Sequence, residues 1–170
     1  TISTGAGDDR VYGSKGNDII DGGIGSNTLD YSRLSEAVSV NMVTRTVQKG
    51  LSGTDNFTQF DRFVGTAYDD SFIVTAGVSA IDGGEGFDSL DFGTLSGSLT
   101  INLASGIIEG RNGTNLNYGS ISVGGIEKVS ANTASGSYFV GSMTGSNEFI
   151  GGTGVDIFRA NGGSNIITGG

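Results

Sequence analysis

A nine-residue repeat with glycine at its fourth position constrains the fold of this chain more than any other feature. Three copies follow one another from Thr4 to Asp30, with the sequences TGAGDDRVY, GSKGNDIID and GGIGSNTLD. The sixth residue of each copy is Asp or Asn, and the eighth is a large apolar residue. Glycine permits a tight turn with positive φ, and the apolar residue suits a short extended segment. Because so short a unit cannot bury its own apolar face, it must stack on copies of itself.

The repeat returns in two further blocks, which divide the chain into five segments of one continuous solenoid. The predicted segments are a first repeat block (1–30), a linker rich in strands (31–64), a second block (65–91), a second linker (92–141) with a loop at 110–125, and a third block (142–170). The first and last residues are in phase with the repeat. We therefore expect the chain to be a segment of a longer repetitive protein.

The sixth position of the repeat places a hard oxygen on each turn. Carboxylates, amide carbonyls and backbone carbonyls are the oxygens that Ca²⁺ selects, so the pattern predicts calcium as the bound metal. The candidate ligands are Asp9, Asp18, Asn27, Asp70, Asp88, Asn147, Asp156 and Asn165. Ser79 occupies the same position without a carboxylate. Fewer charges weaken a calcium site, so we expect fewer strong sites than turns.

These repeats resemble the RTX (hemolysin-type calcium-binding) repeat of bacterial secreted proteins. Gly83–Asp91 and Gly151–Arg159 match its pattern Gly-Gly-x-Gly-x-Asp-x-apolar-x at every defined position. The resemblance implies an all-β fold, a parallel β-roll or β-solenoid with two repeats per turn. It also implies that Ca²⁺ lies between turns eighteen residues apart.

That spacing pairs the candidate ligands. Asp70 with Asp88 is the strongest pair, because it is the only one with a carboxylate on both turns. Asp9 pairs with Asn27, and Asn147 with Asn165, at the same spacing. Asp18 and Asp156 fall on the opposite row of turns, so each needs a partner outside the regular blocks.

The linkers carry a second, longer period. Val38–Met42 is equivalent to Leu99–Leu103, and both alternate apolar and polar residues as half-buried strands do. Phe60–Phe63 is likewise equivalent to Ile126–Val129. The pattern predicts wider β-rungs or hairpins between the calcium-binding blocks, and leaves open whether they stay within the roll or bulge out of it.

Composition excludes several classes of function. The 170 residues carry 18 acidic and 9 basic side chains, a net charge of −9, which disfavours nucleic-acid binding. Without His or Cys, the chain has no side chain for a catalytic triad or a thiol nucleophile, and we predict no enzymatic activity. No apolar run approaches the ~20 residues of a membrane helix, so no membrane span is expected.

The resemblance implies a calcium-dependent structural or adhesive segment of a bacterial secreted or cell-surface protein, such as an adhesin or S-layer protein. Such a chain would leave the cell unfolded by type I secretion and fold on Ca²⁺ outside. The expected partners are calcium, further copies of the chain, and a cell surface or matrix. The alternative is an accessory module of a type I-secreted enzyme or toxin.

Overall fold

Short strands of two to five residues, most of them centred on an apolar eighth residue of the repeat, form almost all of the regular structure. The computed structural model describes residues 1–111, 119–131 and 134–170. The strands, in chain order, are β1 (Ile2–Ser3), β2 (Arg10–Tyr12), β3 (Ile19–Asp21), β4 (Thr28–Asp30), β5 (Ser39–Asn41), β6 (Thr46–Gln48), β7 (Thr54–Thr58), β8 (Arg62–Val64), β9 (Ser71–Ile73), β10 (Ala80–Asp82), β11 (Ser89–Asp91), β12 (Ser98–Asn102), β13 (Ile107–Arg111), β14 (Ser120–Gly124), β15 (Lys128–Ser130), β16 (Tyr138–Val140), β17 (Glu148–Ile150), β18 (Ile157–Arg159) and β19 (Ile166–Thr168). A single turn of 3₁₀-helix, Gly50–Ser52, precedes β7.

The strands form two sheets, and the chain crosses from one to the other at each repeat. The first sheet has ten strands in the order β1-β3-β7-β6-β5-β9-β11-β15-β17-β19. The second has nine strands in the order β18-β16-β12-β13-β14-β10-β8-β4-β2. Within the repeat blocks all pairings are parallel, which confirms the predicted all-β roll.

The register places equivalent residues of successive turns side by side. Val11 pairs with Leu29 in the second sheet, and Phe72 pairs with Leu90 in the first. All four side chains are buried in the one core cluster between the sheets. The repeat thus renews a thin core at every turn, as its apolar eighth position predicts.

Each linker contains a three-stranded antiparallel meander that lies within one sheet. The first linker contributes β5, β6 and β7 to the first sheet, where the outer two strands pair in parallel with β9 and β3. The second contributes β12, β13 and β14 to the second sheet, between β16 and β10. The strands predicted at Val38–Met42 and Leu99–Leu103 are present as β5 and β12. A regular repeat would place one strand where each meander places three, so each meander adds two strands to its sheet. Because the meanders lie in different sheets, the two sheets remain nearly equal in strand number.

The predicted loop at 110–125 is partly wrong. Ser120–Gly124 within it is strand β14, and β13 extends to Arg111. Residues 112–118 of that loop lie outside the described residues. The sequence of β14, SISVG, alternates polar and apolar residues as a half-buried strand does, but the glycines on both sides of it favoured a loop. Pairing with β10 on one side and β13 on the other makes it a strand.

Aromatic rings fill the core where the regular repeat is interrupted or ends. Phe57 and Phe63 meet edge to face with ring centroids 5.2 Å apart, beside the first meander. Phe139 stacks on Phe158 at 4.7 Å and lies 5.3 Å from Phe149. No helix among the described residues is long and apolar enough to cross a membrane.

Replacing Phe72 by Ala tests whether this thin core holds the roll together. Phe72 is 1% exposed and packs in register with Leu90 and Val40. We expect Phe72→Ala to lower the free energy of unfolding by about 3–5 kcal/mol, as for other fully buried aromatic side chains. Urea unfolding measures the loss. The matched control is Phe87→Ala on a half-exposed ring, and equal losses in the two variants would contradict the assignment of the core.

Candidate metal centre

The turns between the sheets stack into two rows along the edges of the roll. Row 1 leads from the first sheet to the second and contains the turns 4–9, 22–27, 59–61, 74–79 and 151–156. Row 2 leads from the second sheet to the first and contains 13–18, 65–70, 83–88, 125–127, 141–147 and 160–165. Glycine allows the stacking to be close. Gly25 has a φ of 140°, and a methyl group on it would lie 2.0 Å from the carbonyl oxygen of Gly7.

The sixth-position side chain clamps each turn to its neighbour. Its oxygen accepts the backbone N–H of the sixth residue one turn away, as in Asp9 N–H to Asn27 Oδ1 at 2.9 Å, Asp70 N–H to Asp88 Oδ1 at 2.7 Å and Asn147 N–H to Asn165 Oδ1 at 3.0 Å. The structure thus brings together all three pairs predicted from the eighteen-residue spacing. A carboxylate in this position has a second oxygen left over.

That second oxygen is where a cation is needed. Among the described residues, four buried carboxylate oxygens have no hydrogen-bond donor: Asp9 Oδ2, Asp61 Oδ1, Asp88 Oδ2 and Asp156 Oδ2. A buried, unpaired anionic oxygen is strongly unfavourable unless a cation neutralises it. Hard carboxylate oxygens on stacked turns fit Ca²⁺, which accepts backbone carbonyl oxygens as further ligands. Within the described ranges no three acidic side chains converge on one point.

The two aspartates of the strongest predicted pair differ in their surroundings. The Asp70 carboxylate accepts the N–H of Val38 at 2.6 Å and both the N–H and the hydroxyl of Thr66. Burial nevertheless raises the pKa of Asp70. Among the described residues, the Asp88 carboxylate accepts a hydrogen bond only from the Asp70 N–H. Burial, with added repulsion from the charges of Asp70 and Glu127, raises the pKa of Asp88 to about 7. Asp88 is therefore the member of the pair with a buried oxygen that has no donor.

Two of the asparagines form hydrogen bonds to the backbone carbonyls of their turns and add no charge. The side-chain NH₂ of Asn27 donates to the carbonyl oxygens of Gly23 at 3.2 Å and Gln59 at 3.1 Å. Asn165 donates in the same way to Gly162 at 3.0 Å. The Oδ1 of Asn147 instead accepts the N–H of Ser142 at 2.8 Å, within its own turn. The Asn27 and Asn165 amides thus form hydrogen bonds to carbonyl oxygens that could otherwise coordinate a metal ion.

The partners of Asp18 and Asp156 do lie outside the regular repeats. The N–H of Asp18 donates to Asp55 Oδ1 at 2.9 Å. Asp156 Oδ1 accepts the N–H of Ser137 at 2.7 Å, which leaves Asp156 Oδ2 as one of the four unpaired oxygens.

Three further acidic residues were not predicted from the sequence. Asp55 and Glu127 have the same role, whereas the Asp61 carboxylate accepts the hydroxyls of Ser26 and Ser79. Asp55, Asp61 and Glu127 each occupy a sixth position: Asp55 Oδ1 receives the Asp18 N–H, the N–H of Asp61 donates to the Asn27 carbonyl, and Glu127 Oε2 accepts the Asp88 N–H at 2.9 Å. A signal was available for all of them. Gly50–Thr58, with the sequence GLSGTDNFT, fits the nine-residue pattern, with glycine fourth, Asp55 sixth and Phe57 eighth. Asp61 and Glu127 each precede an apolar residue, Phe63 or Val129, by two positions, as in the repeat.

The family model for the RTX calcium-binding nonapeptide repeat matches this chain in four copies, at residues 1–29, 56–90 and 143–170. More than half of the chain lies in the matched ranges, which include all eight predicted ligands and Asp61. Asp55 and Glu127 lie outside them. No curated protein matches the chain. RTX nonapeptide repeats bind calcium, so the predicted metal is confirmed at the level of the family.

The raised pKa of Asp88 predicts how the metal-free roll responds to pH. The folded state holds the Asp88 proton up to about pH 7, whereas the unfolded chain releases it near 3.8. The fold therefore binds the proton more tightly, and its stability falls as pH rises through about 7. Far-UV circular dichroism in metal-free buffer between about pH 5 and 8, where ordinary carboxylates stay ionised, follows the folded fraction, and its dependence on pH gives the slope.

The variant Asp88→Asn should remove most of that slope, while Asp82→Asn, at an exposed strand end, should keep it. A metal-free roll that becomes more stable as pH rises from 5 to 8 would contradict the unpaired charge on Asp88.

Proposed function

This chain belongs to the RTX family of calcium-binding nonapeptide-repeat proteins, and from that membership we propose that it is a calcium-dependent structural or adhesive segment of a bacterial secreted or cell-surface protein. Its repeats form a structural calcium-binding domain. In this proposal Ca²⁺ supplies positive charge and coordination to oxygen atoms on the stacked turns, and the segment performs no catalysis.

The observation that carries the proposal is the set of buried carboxylate oxygens without a donor. Asp9, Asp61 and Asp156 in row 1 and Asp88 in row 2 are the proposed principal ligands. Asp18, next to Asp55, and Asp70, next to Asp88, also lie in row 2 and add negative charge there. Asn27, Asn147 and Asn165 are proposed to join turns without adding charge, because their amide groups bond to protein atoms.

The same residues explain why folding should depend on the metal. The chain has 32 glycines, and ordering each of them costs more backbone entropy than ordering any other residue. Its net charge of −9 opposes compaction. A ligand that binds only the folded roll shifts the equilibrium toward it. The chain therefore stays largely unfolded at the low calcium concentrations inside a cell and folds at about millimolar concentrations outside.

This dependence is compatible with export of an unfolded chain followed by folding outside the cell. We therefore propose type I secretion and an extracellular or surface location, with an adhesin or S-layer protein as the parent. Further copies of the chain, a cell surface or a matrix are the proposed partners. The alternative, an accessory module of a secreted enzyme or toxin, uses the same calcium-folded roll. It predicts a catalytic motif elsewhere in the parent protein, which the parent sequence decides.

Calcium titration followed by far-UV circular dichroism tests the proposed function. In metal-free buffer near pH 7.5 we expect a spectrum with little β-structure, and a transition to β-structure on addition of Ca²⁺. Mg²⁺ should not substitute, because it requires tighter octahedral coordination and gives up its water reluctantly. A full β spectrum that neither metal removal nor Ca²⁺ changes would contradict calcium-dependent folding.

Substitutions of single aspartates test whether the calcium-dependent transition depends on carboxylates in the turns. Asp88→Asn and Asp156→Asn should each raise the calcium concentration at the midpoint of the transition, because each removes one charged ligand. The control Asp82→Asn removes the same charge from an exposed strand end outside the turns. If Asp82→Asn shifts the midpoint as far as Asp88→Asn does, net charge rather than the turn geometry governs the transition.

A further inference from the structure

One lysine is fully buried in the row of turns where calcium would be expected. The side chain of Lys49 is 0% exposed, and so is that of its partner Asp55. The ammonium group donates three hydrogen bonds: to the carbonyl oxygen of Ser14 at 2.6 Å, to that of Gly16 at 2.8 Å, and to Asp55 Oδ1. An ammonium has three N–H donors, so its hydrogen-bonding capacity is filled.

The turn that carries Lys49 stacks on the second repeat of the chain. The N–H of Gly16 donates to the Ser52 carbonyl at 2.7 Å, and the N–H of Asn56 donates to the Asp18 carbonyl at 2.8 Å. Gly53 has a φ of 103°, and a methyl group on it would lie 2.6 Å from the Gly16 oxygen. The turn 49–53 thus stacks on the turn 13–18 as successive turns of the regular repeats stack on each other.

The three acceptors of Lys49 are oxygens of the kinds that bind calcium. Ser14 and Gly16 are the second and fourth residues of the repeat 13–21. Asp55 is the sixth residue of the repeat 50–58, which stacks on it. Two backbone carbonyls and one carboxylate from stacked turns form a hard-oxygen set suited to a divalent cation. The ammonium group lies at their centre.

We propose that Lys49 is a built-in counter-cation, which holds the turns 13–18 and 49–55 together without calcium and masks a latent calcium site. The proposal rests on the proposed function in one respect, because it takes the other turns to use Ca²⁺. Lys49 neutralises the buried Asp55, whose Oδ2 accepts the Tyr31 hydroxyl at 2.8 Å. Both oxygens of Asp55 therefore have donors, unlike those of Asp88 and Asp156.

Wild-type protein gives the first test, by amide hydrogen exchange in metal-free buffer near pH 7.5. The amides of Asp18 and Asn56 bridge the lysine-held turns, and those of Asp70 and Ser137 bridge turns with an unpaired carboxylate. We expect the first pair to exchange more slowly than the second by about tenfold or more, after correction for intrinsic rates. Equal exchange in the two pairs would overturn the proposal.

Removing the lysine gives the second test. Lys49→Ala leaves Asp55 buried without its counter-charge, and it clears space beside the two carbonyls. We expect the variant to bind one more Ca²⁺ per chain than wild type, measured by calorimetry or by native mass spectrometry. It should also lose the protection of the Asp18 and Asn56 amides in metal-free buffer and regain it with Ca²⁺.

Two controls make the result specific. Lys49→Ala with Asp55→Asn should return the count of bound ions to the wild-type value, because the carboxylate ligand is gone. Lys128→Ala removes a partly exposed lysine paired with Glu148 and should leave the count unchanged. The proposal fails if Lys49→Ala binds no additional ion, or if it does not fold at saturating Ca²⁺.

The two proposals fail separately. A wild-type chain that binds no Ca²⁺ at all contradicts the proposed function, whatever the exchange pattern. A wild-type chain that binds Ca²⁺ but leaves the Asp18 and Asn56 amides unprotected without it contradicts only the role of Lys49.

Discussion

The structure depends on one interaction, the hydrogen bond from a sixth-position backbone N–H to the sixth-position side-chain oxygen of the adjacent turn. It is seen from Asp9 to Asn27 and from Asp70 to Asp88. This bond fixes the distance between turns and so the register of the three-residue strands that follow, which are too short to fix it alone. It requires an oxygen at that position. When the oxygen belongs to a carboxylate, a negative charge is carried into the stack, and the fold must compensate for it.

The chain compensates in three ways on the same backbone geometry. Asn27 and Asn165 replace the carboxylate by an amide, whose NH₂ bonds the nearby carbonyls and leaves no charge. Asp9, Asp61, Asp88 and Asp156 keep a buried oxygen without a donor, the arrangement that we propose a calcium ion completes. Asp55 is neutralised by Lys49. In the proposed function, dependence on calcium is thus set turn by turn, by the cation or amide group that neutralises or replaces each carboxylate.

The meanders show how a roll tolerates long insertions. Each adds two antiparallel strands to one sheet, and the outer strands of each meander keep parallel pairing with the regular strands. Because the two meanders lie in opposite sheets, the sheets end with ten and nine strands and continue to face each other along the stack. A second insertion in the same sheet would leave apolar residues such as Phe57 and Phe72 without a facing layer.

The sequence by itself determined the repeating unit and the metal, because these depend on local spacing. Its resemblance to RTX repeats implied the β-roll and the pairing of Asp70 with Asp88. The sequence also indicated the strands β5 and β12 as equivalent. Only the tertiary structure placed those strands in opposite sheets and put Asp61 and Glu127 in opposite rows. From β7 to β12 the chain crosses between sheets an odd number of times, and the sequence left open how the linker strands are arranged relative to the two sheets. The structure alone also decided that Lys49, an ordinary charged residue in a linker, lies buried against Ser14 and Gly16. That contact joins residues more than thirty positions apart, and only the stacking of turns brings them together.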